Sequence, residues 1–274
     1  MGQIMLDVKT HERKVWRKRS GLASILVWMG WLIGLAAVVV CFQKIAAQTE
    51  WFFVIDSPKQ GADILARMFP PEWSYGNKLL RPIWDTLTIA TLGTFIAVVI
   101  ALPLAFLAAR NTSPHGIIRI AALFIIVSSR SINSIIWALV LVAIVGPGVL
   151  AGIIAIAFRS VGFVAKLLYE ALEESNAKPA EAIASTGAPM LQIVSFGIWP
   201  QVMPAFAGIS VFRWDINIRE ATILGLVGAG GIGLELNASI NALEWSRVSV
   251  ILLLIFLAVI LAESVSARVR RAVT

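Results

Sequence analysis

Apolar stretches long enough to cross a membrane recur along this chain, and they limit the folds that it can adopt. The 274 residues are 58% hydrophobic and only 14% charged, and the mean hydropathy is +0.84. A bilayer core of ~30 Å requires about 20 apolar residues in a helix, so the pattern predicts an all-α integral membrane protein. We predict six transmembrane helices, at about residues 21–43, 84–109, 116–145, 148–169, 201–224 and 246–266.

The third predicted span, 116–145, is longer than a single crossing requires. Ser128, Ser129, Arg130 and Ser131 interrupt its apolar pattern. Polar interruptions of a long helix accompany kinks and strong tilts. We therefore expect this span to be bent near residues 128–131.

Basic residues cluster at both ends of the chain and predict its orientation. They are Lys9, Arg13, Lys14, Arg17, Lys18 and Arg19 before the first span, and Arg268, Arg270 and Arg271 after the last. Positive residues concentrate on the cytoplasmic side of membrane proteins, so both termini are predicted to be cytoplasmic and residues 44–83 to form an external loop. Because basic clusters also bind anionic lipid headgroups, the net charge of +7 does not indicate nucleic-acid binding.

A short polar helix is predicted on the cytoplasmic side, over residues 178–188. Pro179 suits the first turn of a helix, Gly187 can adopt the left-handed conformation that ends one, and Pro189 prevents continuation. About two turns are too few for stability in isolation, so the helix must be held by its surroundings. Such a rod can seat in a groove of a partner and transmit its motion; the alternative is an ordinary cytosolic loop.

Four residues of this region have the spacing of the EAA loop of binding-protein-dependent ABC importer permeases: Glu181, Ala182, Gly187 and Pro200. The Ile and Leu that usually precede the proline are replaced by Gly197 and Trp199. The resemblance implies that the helix inserts into an ATP-binding subunit and couples it to transport. It covers about residues 84–271, the type I importer permease core, and leaves 1–20 as a basic cytoplasmic terminus and 21–83 as an extra transmembrane helix with an external loop.

A second motif narrows the resemblance. Residues 213–233 are similar to permeases for phosphonate and related reduced phosphorus anions, and the shorter segment 227–233 is also similar to methionine-type permeases. The resemblance implies a permease that passes a phosphonate, phosphite or related anion across the inner membrane of a bacterium. A permease for another small solute, such as methionine, is the alternative.

The same resemblance implies the partners. Two ATP-binding cassette subunits would bind ATP and Mg²⁺ and supply hydrolysis, while this chain would bind no cofactor and would not be an enzyme. An external solute-binding protein would deliver the cargo. Because the six spans show no internal two-fold repeat, a second copy of the permease is expected to complete the pathway, with a related second permease as the alternative. The chain itself has no Gly-Lys dipeptide and hence no P-loop.

Charged and polar residues within the predicted spans are candidates for the translocation pathway, since such residues usually line a pore or pair with one another. They are Arg130, Arg159, Arg213, Asp215, Asn217, Arg219 and Glu220. In one interpretation they are structural, with Asp215 paired to Arg219. Glu220 would then pair with Arg213 on another face of the same helix.

In the other interpretation, the excess of arginines forms an electropositive path, because guanidinium groups match phosphonate and phosphate oxygens well. Arg213 would lie about 14 Å beyond Pro204 along its helix, near the middle of the membrane. On this view we expect Arg213→Ala to abolish uptake while assembly survives.

Four glycines near the end of the fifth span satisfy the G-x-G-x-x-G pattern of dinucleotide-binding proteins: Gly228, Gly230, Gly231 and Gly233. That pattern requires a preceding strand and a following helix in a soluble βαβ unit. Here it follows a membrane span, so we interpret the glycines as sites of close packing or as a flexible outer gate.

Two other classes of protein are alternatives to an importer permease. An ion-coupled secondary transporter would use Asp215 or Glu220 as the coupling carboxylate, but such proteins usually contain internal repeats, and none is evident. An intramembrane enzyme would need a nucleophile beside a base, and the positions of Cys41, His11 and His115 do not provide one.

Overall fold

The computed structural model describes residues 21–273, which contain helices and turns and no strand. The all-α membrane class is confirmed. The helices are α1 (Gly21–Gln48), α2 (Trp51–Arg67), α3 (Gly76–Ala108), α4 (Gly116–Ser131), α5 (Ser134–Val145), α6 (Val149–Glu174), α7 (Ala177–Ala184), α8 (Met190–Gln192), α9 (Trp199–Gly225), α10 (Ile232–Asn241) and α11 (Trp245–Val273). A 3₁₀ turn (Trp73–Tyr75) precedes α3, and a π-helical turn (Ile193–Ile198) joins α8 to α9.

Five helical segments in this part of the chain are long and apolar enough to cross a membrane: Gly21–Gln48, Trp73–Ala108, Val149–Glu174, Met190–Gly225 and Trp245–Ala272. The pair α4 and α5 makes a sixth candidate, bent by 87° at its break. The predicted bend is therefore present, but it lies at Ile132 and Asn133. Helix α4 continues through the polar residues 128–131, because the Ser131 hydroxyl bonds to the Val127 carbonyl one turn earlier and the Ser129 hydroxyl donates to the Phe158 carbonyl of α6.

The structure corrects the predicted loop at 44–83 and places a helix in the segment 225–245, which lies between the fifth and sixth predicted spans. Helix α2 occupies much of the first, and α3 begins at Gly76 instead of near residue 84. Helix α10 occupies part of the second. Hydropathy marks only the apolar part of a helix, so helical residues beyond it were assigned to loops.

The described residues divide into two compact units, one ending at Gly61 and the other beginning at Ala62. The second unit contains α3 to α11 and the candidate functional residues. The domain boundary that the sequence places after residue 83 stays a prediction.

Helices α3 and α6 form the centre of the second unit through small residues. A row of alanines on α3 is completely buried: Ala90, Ala97, Ala101, Ala105 and Ala108. Gly93 continues the row, and a Cβ atom there would lie only 2.7 Å from Ile156 Cγ2 of α6. Small residues let membrane helices approach closely where no hydrophobic effect drives their association.

A polar network fixes the start of α3 to α10 and α11. The Tyr75 hydroxyl donates a 2.7 Å hydrogen bond to Glu235 Oε2. Arg247 Nε donates to Glu72 Oε2 at 2.9 Å, and its guanidinium lies 4.9 Å from the centre of the Tyr75 ring. This network marks the end of the unit opposite to α7.

The glycine-rich segment after α9 lies at a junction with α3 and α10. The Ile232 amide donates a 2.8 Å hydrogen bond to Thr86 Oγ1 of α3, and a Cβ atom on Gly231 would meet the same oxygen. A Cβ on Gly233 would overlap the Thr222 carbonyl and lie 2.9 Å from Gly225 Cα. The geometry supports the close-packing interpretation for Gly231 and Gly233.

Gly228 and Gly230 adopt backbone conformations that favour glycine, with φ of +89° and +81°. A Cβ atom on Gly230 would lie 3.0 Å from the Val149 amide nitrogen, whereas one on Gly228 would make ordinary contacts. The Gly228 carbonyl accepts a 3.0 Å hydrogen bond from Gly148 at the start of α6. The glycine segment therefore also contacts α6.

Gly233→Ala is expected to destabilise the protein by about 3 kcal/mol, because the added methyl group would overpack this junction. Gly208→Ala in α9 is the matched control, since a Cβ atom there would meet nothing within 4 Å. Thermal unfolding in detergent would measure the difference. Equal melting temperatures for the two variants would contradict the close packing.

Candidate translocation site and coupling helix

A cluster of buried polar side chains joins α9 to α6 in the middle of the second unit. Arg213 is only 2% exposed. Its Nε donates to Ser160 Oγ at 2.9 Å, and one terminal nitrogen donates to Glu220 Oε2 at 3.2 Å. The guanidinium lies 5.1 Å from the centre of the Phe163 ring. Arg213 is thus enclosed by three partners.

Glu220 is shared by two arginines. Besides Arg213, its carboxylate lies 3.5 Å from Arg159 Nε of α6. The Arg213–Glu220 pair expected from the sequence is present, whereas Arg159 as a second partner was not foreseen. A carboxylate between two guanidinium groups offsets only one of the two positive charges.

Asn217 of α9 connects three helices next to this ion pair. Its amide nitrogen donates to Thr94 Oγ1 of α3 at 2.7 Å and to Ser160 Oγ of α6 at 3.0 Å. Asn217 is fully buried. Thr94 and Ser160 were missed by sequence reasoning, because a lone hydroxyl residue in an apolar helix can always bond to its own backbone.

Asp215 and Arg219 form the second predicted pair, one helical turn apart. The Asp215 side chain is buried and that of Arg219 is half-exposed. The other oxygen of Asp215, Oδ1, is buried and has no partner among residues 21–273. Arg130 does not join either pair: it lies on the exposed side of α4, where its Cγ packs near Gly162 of α6.

A cavity of about 170 Å³ lies beside the shared carboxylate, where the break between α4 and α5 faces α6 and α9. Asn133, Ser134, Arg159, Glu220 and Ile223 are among the residues that line it. No group of three or more His, Cys, Asp or Glu residues that could hold a metal ion occurs in the described part of the chain.

The second candidate region is α7 at one end of the unit. Helix α7 begins after Asn176, whose side chain accepts a hydrogen bond from the Lys178 amide at 3.0 Å. Gly187 has the expected left-handed backbone, with φ of +78°. The helix ends at Ala184 and not at residue 188, and the Ser185 hydroxyl bonds back to the Ala182 carbonyl. Such local side-chain bonds compete with helix continuation.

The Gln201 side chain connects the start of α7 to the start of α9 through three hydrogen bonds, which we call the Gln201 clasp. Its side-chain oxygen accepts from the Asn176 amide at 3.1 Å, and its nitrogen donates to the Asn176 and Gly197 carbonyls at 3.2 and 2.6 Å. A Cβ atom on Gly197 would lie 2.8 Å from Ala180 Cα. This close approach fits glycine at the position where the EAA pattern usually has isoleucine.

The four residues of the EAA spacing lie on the two helices that Gln201 connects, or in the turn after α7. Glu181 and Ala182 lie on α7 and are exposed, and Gly187 is exposed in the turn that follows. Pro200 is the second residue of α9, where a missing amide donor costs nothing. The region therefore presents a short, anchored helix to the solvent.

A chain of membrane-crossing helices with a buried charge cluster and an anchored polar helix is the arrangement of a transport subunit. Residues 101–274 match the family described as the binding-protein-dependent transport system inner membrane component. The chain belongs to this family. It is an ABC transporter permease and not an enzyme, and ATP hydrolysis takes place on a separate subunit.

Similar proteins support the same assignment. The phosphite transport system permease protein PtxC of Stutzerimonas stutzeri is 35% identical over 249 residues, which are 89% of this chain and 90% of the relative. The phosphate-import permease protein PhnE of Mycolicibacterium smegmatis is 35% identical over 218 residues, 80% of this chain and 41% of the relative. A solved structure of the MetNI methionine ABC transporter in an inward-facing conformation is 28% identical, with a TM-score of 0.61 over 72% of this chain and 96% of that chain.

Membership of this family has two further consequences. The protein is an inner membrane component, and it works with an ATPase subunit and a solute-binding protein. The ion-coupled secondary transporter and the intramembrane enzyme are excluded.

The burial of Arg213 revises the expectation that its removal spares assembly. Arg213→Ala is expected to destabilise the protein by about 3 kcal/mol or more, because it removes the hydrogen bond to Ser160 and leaves the Glu220 carboxylate without its closer cation. Arg110→Ala is the control, since the Arg110 side chain is 74% exposed and a surface pair contributes about 1 kcal/mol or less. The yield of monodisperse protein and its melting temperature would be measured. A fully stable Arg213→Ala protein would contradict the structural role.

Gln201→Ala is expected to loosen α7 from α9, since three hydrogen bonds to the backbone are lost. Amides of residues 176–184 should exchange about tenfold faster in hydrogen–deuterium exchange. Gln192→Ala, at an exposed glutamine of α8, is the control. Unchanged protection of α7 would show that other contacts hold it.

Proposed function

We propose that this permease carries a small phosphorus oxyanion, such as phosphite, a phosphonate or phosphate, into the cell. The observation that carries the proposal is the similarity to a phosphite permease protein over nine-tenths of both chains. The methionine permease protein MetI of Escherichia coli is more distant, at 30% identity over 57% of this chain. The arginines inside the spans supply the charge that such an anion requires.

The seven pathway residues divide into two sets by exposure. Arg213, Asp215 and Asn217 are buried, so they support the pathway without lining it. Arg130, Arg159 and Arg219 have side chains that reach open space, and they supply positive charge along the pathway. Glu220 connects the two sets, because it pairs with the buried Arg213 and with Arg159. The affinity for the cargo resides mainly in the solute-binding protein, so these residues need only lower the barrier to passage.

Helix α9 connects the coupling region with the charge cluster. It is continuous from Pro200 to Gly225, a length of about 40 Å, and Gln201 clasps its first turn to α7. A displacement of α7 by the ATP-binding subunit therefore moves α9 and the Arg213–Glu220 pair together. Glu181, Ala182 and Gly187 form the surface on which that subunit acts.

The working assembly contains two copies of this chain, two ATP-binding subunits that hold ATP and Mg²⁺, and one external solute-binding protein. Both termini and α7 face the cytoplasm, as the basic residues at the chain ends predict. The Gly228–Gly233 segment then lies at the external end of the pathway, where its close packing closes the route between transport cycles.

The proposal is tested by purifying the chain from its native membranes and measuring what remains bound. Gly187→Val is expected to lose most of the ATP-binding subunit, because a branched residue is strained at a φ of +78°. Gly116→Ala is the matched control: a Cβ atom there meets nothing within 4 Å, and its φ is ordinary. ATP-driven phosphite uptake by proteoliposomes should fall in parallel for Gly187→Val alone.

Two outcomes would contradict the proposal. Wild-type protein that is purified without an ATP-binding subunit, with uptake driven by protons or sodium ions, would disprove ATP coupling. ATP-driven uptake of methionine, without any uptake of phosphite, phosphonate or phosphate, would disprove the cargo class.

A further inference from the structure

The cavity beside Glu220 has the size and the chemical groups of a small anion site. Its volume of about 170 Å³ leaves room for several water molecules or for one tetrahedral oxyanion. It opens between the bent span and α9, next to the buried ion pair. Apart from Glu220, the polar residues that line it are cationic or neutral: Asn133, Ser134 and Arg159.

Arg159 brings to the cavity a positive charge that Glu220 offsets only in part. Its side chain is 32% exposed, and its ionic partner Glu220 lies 3.5 Å from Nε. Within residues 21–273 its two terminal nitrogens make no hydrogen bond. A guanidinium group in this state has four N–H donors available, in the planar arrangement that suits phosphorus oxyanions.

Glu220 is held more firmly by Arg213 than by Arg159. Arg213 is buried, hydrogen-bonds to the carboxylate at 3.2 Å and is itself fixed by Ser160. Arg159 can therefore turn away from Glu220 without leaving the carboxylate unpaired. The two arginines and one carboxylate keep a net charge of +1, which an incoming anion would offset.

Asn133 adds neutral donors to the lining of the cavity. Its side-chain oxygen accepts from the Ile135 amide at 3.2 Å and caps the 12-residue helix α5. That bond orients the side chain and leaves its NH₂ group without a partner in the described part of the chain. An anion in the cavity would thus meet charged donors from α6 and amide donors from the start of α5.

We infer that this cavity is a transient binding site for the transported oxyanion, in which Arg159 exchanges Glu220 for the oxygens of the cargo. The inference rests on the proposed function and specifies where the cargo pauses within the membrane. Glu220 stays with Arg213 during the exchange and competes for Arg159 afterwards, which promotes release. Conduction requires such weak, displaceable binding, because a tight site would stop transport.

The test measures the binding of phosphite to the detergent-solubilised complex of permease and ATP-binding subunits, without nucleotide or binding protein. Line broadening of the phosphite ³¹P resonance detects weak, exchanging binding. Arg159→Ala and Asn133→Asp are each expected to weaken it about tenfold. Asn133→Asp preserves the helix cap and adds a negative charge, so it opposes the anion without removing any packing.

Two further variants distinguish anion binding from a structural role. Glu220→Gln removes the competing carboxylate while it retains a hydrogen bond to Arg213, and it is expected to tighten phosphite binding and to slow its release. Lys166→Ala is the control, since Lys166 lies on α6 two turns from Arg159 in an exposed pair with Glu170. Phosphite bound by the ATP-binding subunits contributes equally to every variant.

Equal broadening in wild type, Arg159→Ala and Asn133→Asp would overturn the inference. So would a parallel loss of binding in Glu220→Gln, which would show that the ion pair is only structural. If Glu220→Gln fails to fold, Arg159→Ala and Asn133→Asp decide. Failure of this site leaves the importer assignment intact, because that assignment is tested separately by subunit recovery and ATP-driven uptake.

Discussion

The shared carboxylate of Glu220 lowers the energetic cost of placing two arginines in the interior of this membrane protein. Inside a bilayer each buried charge must find a partner within the protein. Glu220 partners Arg213 and Arg159, and Ser160 forms hydrogen bonds with Arg213 and Asn217. The cluster therefore fixes the rotation of α9 against α6, and the small residues of α3 and α6 allow the helices to approach closely enough for these bonds.

Helix α9 connects the two candidate regions as one continuous helix. It begins at the Gln201 clasp, passes the Arg213–Glu220 pair and ends in the glycine junction with α3 and α10. In the proposed mechanism, the continuity of this helix carries a motion of α7 to the Arg213–Glu220 pair.

The sequence was most informative where the physics is local. The apolar lengths of the spans, the left-handed turn at Gly187 and the two ion pairs of α9 all follow from neighbours within a few residues. It was least informative about partners that are distant in sequence. The third member of the Glu220 cluster, Arg159, lies 61 positions away on α6, and no periodicity connects the two. The clasp between Gln201 and Asn176 and the bond between Ile232 and Thr86 were missed for the same reason.

By itself, the sequence determined that the chain spans a membrane several times, that a short capped helix follows the fourth predicted span, and that arginines and carboxylates alternate along α9. These are consequences of composition and of the helical repeat. Only the tertiary structure decided which charges share a partner, which arginine remains available to a cavity, and which glycines touch neighbouring backbones. Those properties depend on how the helices are rotated and packed against one another, and packing is a relation between segments that no single segment encodes.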